Sequence, residues 1–374
     1  MKKCIIIPDS FKGTLSAVDF CRLGEDVIRR LDSSCEVLTV PVADGGEGTV
    51  DCFAEALGAR RVYVQATGPW GEAVESCYAR HGDTAFVEMA QNAGLPMVGE
   101  RKDPALTTTY GVGQVIRAAV EAGCREIVLG LGGSCTNDAG AGAACALGVE
   151  FRDAAGKSFL PTGGTLENIA SYDVSAARAL LKDCTVTAMC DIDNPMYGPA
   201  GAAAVFAPQK GADAAMVARL DRNLRTLGAL MQKTAGQDVA ALPGAGAAGA
   251  FGAGVVAFLG GQLRPGIETV LDCVKFDELL DGADMVFTGE GSIDSQSLRG
   301  KVVIGVARRA QGKNVPVTVI AGTVGEGAEG AYDRGVSAIF SINRRAEDFS
   351  VSRCKTQENF KATMENIVRL LLTK

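Results

Sequence analysis

Five short segments of this 374-residue chain follow an apolar run with glycine and acidic side chains. They are Ile7-Pro8-Asp9-Ser10-Phe11-Lys12-Gly13, Val42-Ala43-Asp44-Gly45-Gly46-Glu47-Gly48-Thr49 and Gly130-Leu131-Gly132-Gly133-Ser134-Cys135-Thr136-Asn137-Asp138. The other two are Cys190-Asp191-Ile192-Asp193-Asn194-Pro195 and Thr288-Gly289-Glu290-Gly291-Ser292-Ile293-Asp294. Glycine exposes backbone N–H groups, and a helix N-terminus attracts anions, so Gly132-Gly133-Ser134 reads as an anion cradle between a strand and a helix. Carboxylates that converge repel one another unless a cation joins them, and hard oxygen ligands beside phosphate suit Mg²⁺. Lys12, Lys210 and Lys301 each neighbour a glycine and have the reach to meet phosphate oxygens. Any one loop is an ordinary turn composition, but five in one chain point to Mg²⁺-nucleotide chemistry.

Several other chemistries are excluded. The one histidine, His81, lies in Arg80-His81-Gly82-Asp83, which reads as a hairpin turn, so a multi-histidine zinc site is impossible. The 12 cysteines include no Cys-x-x-Cys pair, which argues against zinc ribbons and a disulfide framework and favours a reduced, cytoplasmic protein. A net charge of −7 disfavours nucleic acid as a partner. No Gly-x-x-x-x-Gly-Lys-[Ser/Thr] occurs, so this is not a P-loop protein. Gly244-Ala245-Gly246-Ala247-Ala248-Gly249 matches Gly-x-Gly-x-x-Gly, but it follows Leu242-Pro243 rather than a clear strand and reads as a loop near phosphates or a close helix contact. No signal peptide is expected, because the first apolar run ends at Pro8. The uncharged stretch from Val239 to Leu263 holds seven glycines and reads as a glycine loop entering a buried helix, not as a membrane span.

The elements that must carry these loops follow from periodicity. Lys3 to Ile7 is a strand, Ser16 caps a helix with Phe20, Leu23, Val27, Ile28 and Leu31 on one face, and Cys35 to Val42 is the next strand. A helix from Thr49 to Leu57 completes a β-α-β-α rhythm, the sign of a parallel sheet covered by helices. The rhythm then changes. Val62–Ala66, Ala73–Ala79 and Thr84–Met89 are strand-prone runs separated by glycine turns, which implies antiparallel pairing. Asp284–Thr288, Val315–Ala321 and Val336–Ile342 restore the first rhythm, and an amphipathic helix closes the chain. At 47 glycines the chain well exceeds the usual share of about 7%. A chain of this length is expected to form two domains. Residues 1–60 with 263–374 are expected to form one discontinuous domain, and 61–262 the inserted one.

Taken together, the loops resemble the type 1 glycerate kinase family of bacterial ATP-dependent kinases. The matching stretches are Pro8–Gly13, Ala43–Thr49, Gly132–Asp138, Asp191–Pro195, Phe206-Ala207-Pro208-Gln209-Lys210-Gly211-Ala212, Gly244–Gly254, and Thr288–Asp294 with Gly300-Lys301. They span nearly the whole chain in the family's order. Cys135 and Ala139 stand where alanine and glycine are commoner, and Ser292 stands where arginine is, which removes a phosphate-binding charge.

The resemblance implies an α/β fold, with a Rossmann-like parallel-sheet domain and a second α/β domain of mixed sheet inserted into it. It implies ATP-dependent phosphorylation of D-glycerate in the cleft between the domains. The expected product is 2-phosphoglycerate ahead of 3-phosphoglycerate. ATP and Mg²⁺ are the implied cofactors; nucleic acid and membrane are not partners, and a homodimer is left open. With histidine out of play, a carboxylate accepts the substrate proton. Asp191 is the expected base, and Lys12 is counted with it as catalytic. Asp193, Asp294 and Asp138 are the expected Mg²⁺ ligands, and Asp191 and Asp193 are interchangeable at this level. Asp9, Ser10, Lys12, Asp44, Gly132, Gly133, Ser134, Thr136, Asn137, Lys210, Glu290 and Lys301 are the expected substrate- and phosphate-binding residues. The rival readings are an NAD(P)-dependent oxidoreductase of a small hydroxy acid and a non-catalytic two-domain carboxylate-binding protein.

Overall fold

The computed structural model describes residues 1–11, 13–43, 45–235, 238–299 and 301–373. The chain is an α/β protein that divides into two compact units. The first comprises Met1–Asp44, Glu55–Gly58 and Ile267–Lys374, and the second Gly45–Ala54 and Ala59–Gly266.

The first unit is built on a five-stranded, fully parallel sheet. Its spatial order is Ala338–Ser341, Val317–Val324, Met285–Ile293, Lys3–Ile6, Glu36–Thr39. The first strand therefore lies beside one from the far end of the sequence, with Cys4 opposite Met285. Such strands are covered on both faces and read as unbroken apolar runs, which is why Cys4, Ile5, Ile6 and Ile7 are wholly buried. The helix Ala17–Leu31 starts where the Ser16 hydroxyl accepts the Asp19 N–H at 3.0 Å. Its Phe20 meets Phe360 of the terminal helix Thr356–Leu371, ring centroids 4.3 Å apart. Burying each such ring contributes about 1.5–3 kcal/mol.

The second unit carries a six-stranded mixed sheet, in the order Gln262–Arg264, Thr185–Met189, Glu126–Gly130, Thr84–Glu88, Ala73–His81, Arg60–Thr67. The first four run parallel, and the hairpins at the other edge are antiparallel. His81 ends a strand and is exposed, with the tight turn falling on Gly82. A small sheet of Ser158–Phe159, Glu150–Arg152 and Ser171–Asp173 adds to this unit, which sequence periodicity did not anticipate.

The uncharged stretch breaks into a 3₁₀ turn Val239–Ala241, a kinked buried helix Ala247–Leu259 and the strand Gln262–Arg264. Among the described residues no helix is long and apolar enough to cross a membrane. No disulfide forms among them either.

Candidate active site

In the second unit, two of the parallel strands, Glu126–Gly130 and Thr185–Met189, end at loops holding sequence-selected residues. Gly132 and Gly133 are partly open, whereas Ser134 is 8% exposed and Thr136, Asn137 and Asp138 are fully buried. Lys210 sits in the short 3₁₀ turn Pro208–Lys210 and is 2% exposed. Its ammonium donates to Ser134 Oγ and to the Thr136 carbonyl oxygen, both at 2.7 Å. Among the described residues no carboxylate forms an ion pair with it, and burial pushes its pKa down to about 8. Thr136 Oγ1 and both amide atoms of Asn137 are buried and have no hydrogen-bond partner. Buried polar atoms are satisfied in the great majority of native structures, so three orphans on two adjacent residues mark a place built for something else.

This cradle is not the helix N-terminus that the glycines suggested. Ten residues separate the strand Glu126–Gly130 from the next helix, Ala141–Leu147. Its first turn is filled by Asp138 and by Thr109, whose hydroxyl accepts the Ala143 N–H at 2.9 Å. The Asp138 carboxylate accepts the Thr109 N–H and hydroxyl, both at 2.8 Å, and the Gly140 and Gly142 N–H groups at 3.2 and 3.3 Å. Four donors occupy a fully buried carboxylate that was expected to bind Mg²⁺. Its geometry makes it an organiser of the loop.

The Gly45–Thr49 turn shows the same device. Gly132 donates to the Gly45 carbonyl at 2.9 Å. A Cβ at Gly130 would lie 2.4 Å from that carbonyl oxygen, and one at Gly132 would lie 2.6 Å from the Gly46 Cα. These glycines allow two backbones to touch. The start of the helix Thr49–Leu57 is taken by Glu88, which is 4% exposed and accepts the Val50 N–H at 3.2 Å. Burial pushes Glu88 up to about 7, against the pull of the Val50 and Gly48 N–H groups. The sequence reading missed Glu88. The available signal was a carboxylate closing an otherwise apolar run just before a turn.

Asp191 and Asp193 are both exposed. Asp191 Oδ1 accepts the Gly266 N–H at 2.7 Å, at the first residue of the helix Gly266–Cys273. A Cβ at Gly266 would fall 2.8 Å from Asp191 Oδ2, so glycine is needed for that approach.

The glycine run 244–254 joins these loops rather than holding a dinucleotide. A Cβ at Gly244 would lie 2.6 Å from Cys190 Sγ, at Gly246 2.3 Å from the Pro195 carbonyl, and at Gly249 2.1 Å from the Thr136 carbonyl. Gly249 accepts the Ala139 N–H at 3.0 Å. Ala248, Gly249 and Ala250 are all left-handed (φ 55°, 67° and 71°), and Ala139 has φ 53°. A left-handed alanine costs roughly 1–2 kcal/mol, so strain gathers where Thr136 and Asn137 are shaped.

In the first unit, Asp9 donates its N–H to the Gly289 carbonyl at 2.8 Å, and the Thr288 hydroxyl donates to the Ile7 carbonyl at 2.7 Å. These bonds bring the Pro8 and Thr288 loops together. Ser10 donates its N–H to Asp9 Oδ1 at 2.7 Å, and Asp9 and Ser10 are half-buried. Gly289 is a packing residue, since its Cβ would lie 2.2 Å from the Ile320 carbonyl and 2.7 Å from the Phe20 ring. Glu290 is 6% exposed, with Oε1 unpartnered. Burial pushes it up to about 7, with the Ser297 hydroxyl and Lys301 pulling the other way and Asp9 and Asp294 adding to the rise. Asp294 Oδ1 accepts the Gln296 N–H at 2.7 Å, and Lys301 is exposed. Lys12 and Asp44 lie outside the described residues. Among the described residues no three acid, histidine or cysteine side chains stand close enough to hold a metal ion by themselves. Mg²⁺ needs only one or two carboxylates when phosphate oxygens and water complete its shell, and Asp294 or Asp193 suits that role.

The sequence model of the glycerate kinase family matches residues 4–372. The chain belongs to the glycerate kinase family. It is 42% identical over 368 residues to the glycerate kinase of Bacillus cereus, covering 98% of this chain and 97% of that one. It is 41% identical over 370 residues to the glycerate 2-kinase of Escherichia coli, covering 98% and 95%. The crystal structure of a chain assigned as glycerate kinase 2 from Salmonella typhimurium LT2 superposes with a TM-score of 0.88 at 42% identity, covering 100% of this chain and 98% of that one. As a glycerate kinase family member, the chain is an enzyme that transfers a phosphoryl group to an alcohol, and it acts on a small molecule. In this kinase, helix starts that would otherwise attract phosphate are occupied by its own carboxylates, Glu88 and Asp138. Among the described residues the buried Lys210 forms no ion pair with a carboxylate.

Proposed function

We propose that this kinase phosphorylates D-glycerate with ATP, giving ADP and 2-phosphoglycerate. The name of the Escherichia coli relative favours the 2-position over the 3-position. The observation that carries the reading is Lys210, a buried ammonium that forms no ion pair among the described residues and lies beside two residues bearing unsatisfied polar atoms. An anion supplied by the substrate completes it. When bound, MgATP supplies the phosphoryl group, and Mg²⁺ neutralises charge that develops on it.

The chain's own groups do the rest. Lys210, Ser134, Thr136 and Asn137, entered past Gly132 and Gly133, bind an anionic group. Asp191 accepts the proton of the reacting hydroxyl through the carboxylate that also caps the helix at Gly266. Asp193 and Asp294 hold Mg²⁺. Asp9, Ser10, Lys12, Asp44, Glu290 and Lys301 are assigned to the phosphates and the acceptor. Lys12 is also assigned to catalysis. Asp138 is reassigned from metal ligand to loop organiser. The enzyme works in the cytoplasm, and residues 61–262 form a domain inserted between 1–60 and 263–374.

The test is ADP formation that depends on D-glycerate. The expected result is turnover with ATP and Mg²⁺, none in excess EDTA, and no response to NAD. Full turnover in EDTA overturns the Mg²⁺ assignment. Glycerate-dependent reduction of NAD(P) without ATP favours the oxidoreductase reading.

A further inference from the structure

The unsatisfied atoms around Lys210 differ in what they need from a ligand. The ammonium brings only donors, and two of its contacts are already inside the protein. Asn137 brings two donors on Nδ2 and an acceptor, Oδ1, all without partners; the Thr136 hydroxyl can donate or accept. Because both amide atoms of Asn137 are orphans, the inventory does not depend on which way the amide is turned. A phosphate group offers almost only acceptor oxygens. In a dry loop it would leave Asn137 Oδ1 unpaired or set lone pairs against lone pairs, and a buried unpaired acceptor is costly. A 2-hydroxy acid matches the set. Its carboxylate accepts from the ammonium and the amide N–H, and its hydroxyl both donates and accepts.

A second observation points the same way. Phosphate is commonly held at helix N-termini. In this unit the starts of Thr49–Leu57 and Ala141–Leu147 are closed by Glu88 and Asp138. The loop keeps a cation and a mixed donor and acceptor set, but it lacks the helix-borne amides of a phosphate cradle.

We infer that the Lys210–Ser134–Thr136–Asn137 group binds the hydroxy-carboxylate end of the phosphoryl acceptor, not the phosphates of the nucleotide. This deepens the proposed function and rests on it. It predicts that substitutions here separate the two substrates.

The experiment is steady-state kinetics with D-glycerate and MgATP varied independently, on wild type, Lys210→Met, Asn137→Ala and the near-isosteric Thr136→Val. A hydrogen bond to a charged group is worth enough to expect a rise in KM for D-glycerate of about tenfold or more in Lys210→Met and Asn137→Ala. The KM for ATP should stay within about twofold. A rise in the KM for ATP with that for D-glycerate unchanged overturns the inference while leaving the kinase reading intact. Protection from thermal unfolding is read in parallel, with D-glycerate, D-lactate and inorganic phosphate as probes. The expected pattern is protection of wild type by the hydroxy acids, lost in Asn137→Ala and Thr136→Val. Protection by inorganic phosphate alone, lost in the same variants, contradicts the inference. If wild type does not turn over D-glycerate, the kinase assignment fails by itself, and the protection pattern still decides what this loop binds.

Discussion

The Lys210 ammonium lies 2.7 Å from the Thr136 carbonyl oxygen, and a Cβ on Gly249 would lie 2.1 Å from that same oxygen. One carbonyl is thus held between a buried cation and a glycine backbone. Neither contact leaves room for adjustment, and both segments come from far along the chain. The orphan amide of Asn137 follows directly after that carbonyl.

The lysine gives two pH dependences of opposite sign. Burial lowers its pKa from 10.5 to about 8. Between those values the unfolded chain keeps a proton that the native state has lost, so stability rises with pH across that window. Anion binding needs the ammonium, so affinity for D-glycerate falls above pH 8. The KM for D-glycerate should climb toward about tenfold per pH unit there. A flat KM from pH 7 to 9.5 would remove Lys210 from substrate binding.

Asp191 poses a choice between a helix cap and a base. Asn is as good a cap as Asp and keeps an Oδ1 for the Gly266 N–H, but it cannot take a proton. Asp191→Asn should therefore hold its melting temperature and lose about 10²-fold or more in kcat, the scale of general-base catalysis. Asp193→Asn should instead raise the Mg²⁺ concentration giving half-maximal rate. Near-normal kcat with unchanged stability in Asp191→Asn would leave the carboxylate as a cap alone.

Two glycine-to-alanine changes should part company. Gly249→Ala forces a methyl against the Thr136 carbonyl and the Asn137 Cα, in left-handed backbone. A clash of that kind costs about 1–3 kcal/mol. It should lower the melting temperature and raise the KM for D-glycerate together. Gly312, the last residue of the helix Val302–Gly312, has open space around its Cα. Gly312→Ala should stabilise by up to about 0.5–1 kcal/mol and leave kinetics alone. Chemical denaturation of both variants checks this, and equal effects would contradict it.

Glu88 should make stability fall as pH rises from 4.5 to about 7. Its native pKa is raised to about 7 by burial, so across that window the folded state holds a proton that the unfolded chain has released. Its contribution is complete below 4.5 and lost above 7. Glu88→Gln keeps an acceptor for the Val50 N–H and removes the titration. A melting temperature measured from pH 4.5 to 7.5 should vary less in the variant than in wild type; identical slopes would place the titration elsewhere.

The parallel strands of the first unit were legible because each is a short apolar run ended by a turn signal. The hairpins of the second were legible from glycine punctuation. The small sheet was not, since Glu150–Arg152 and Ser158–Phe159 are too short to show a period. The loop residues Ser134, Thr136, Asn137 and Lys210 were chosen from residue type, and the fold brings them together across 74 and 76 positions of sequence. What composition could not show is which acids are already occupied. Asp138 looked like a metal ligand until its donors at Thr109, 29 residues away, were visible. Glu88 was passed over because a carboxylate that closes an apolar run reads first as a strand end. The roles of the glycines at 244, 246 and 249 were equally hidden, because the backbones they touch are distant in sequence.

Phosphoryl transfer from ATP to glycerate is measured most directly by NMR of the product. Purified chain is incubated with D-glycerate, ATP and Mg²⁺. The predicted result is a product phosphorus resonance split into a doublet by the single proton on carbon 2, with one ADP formed per phosphorylated glycerate. Splitting by the two protons on carbon 3 would replace 2-phosphoglycerate by 3-phosphoglycerate. Unchanged glycerate beside unconsumed ATP would contradict the account.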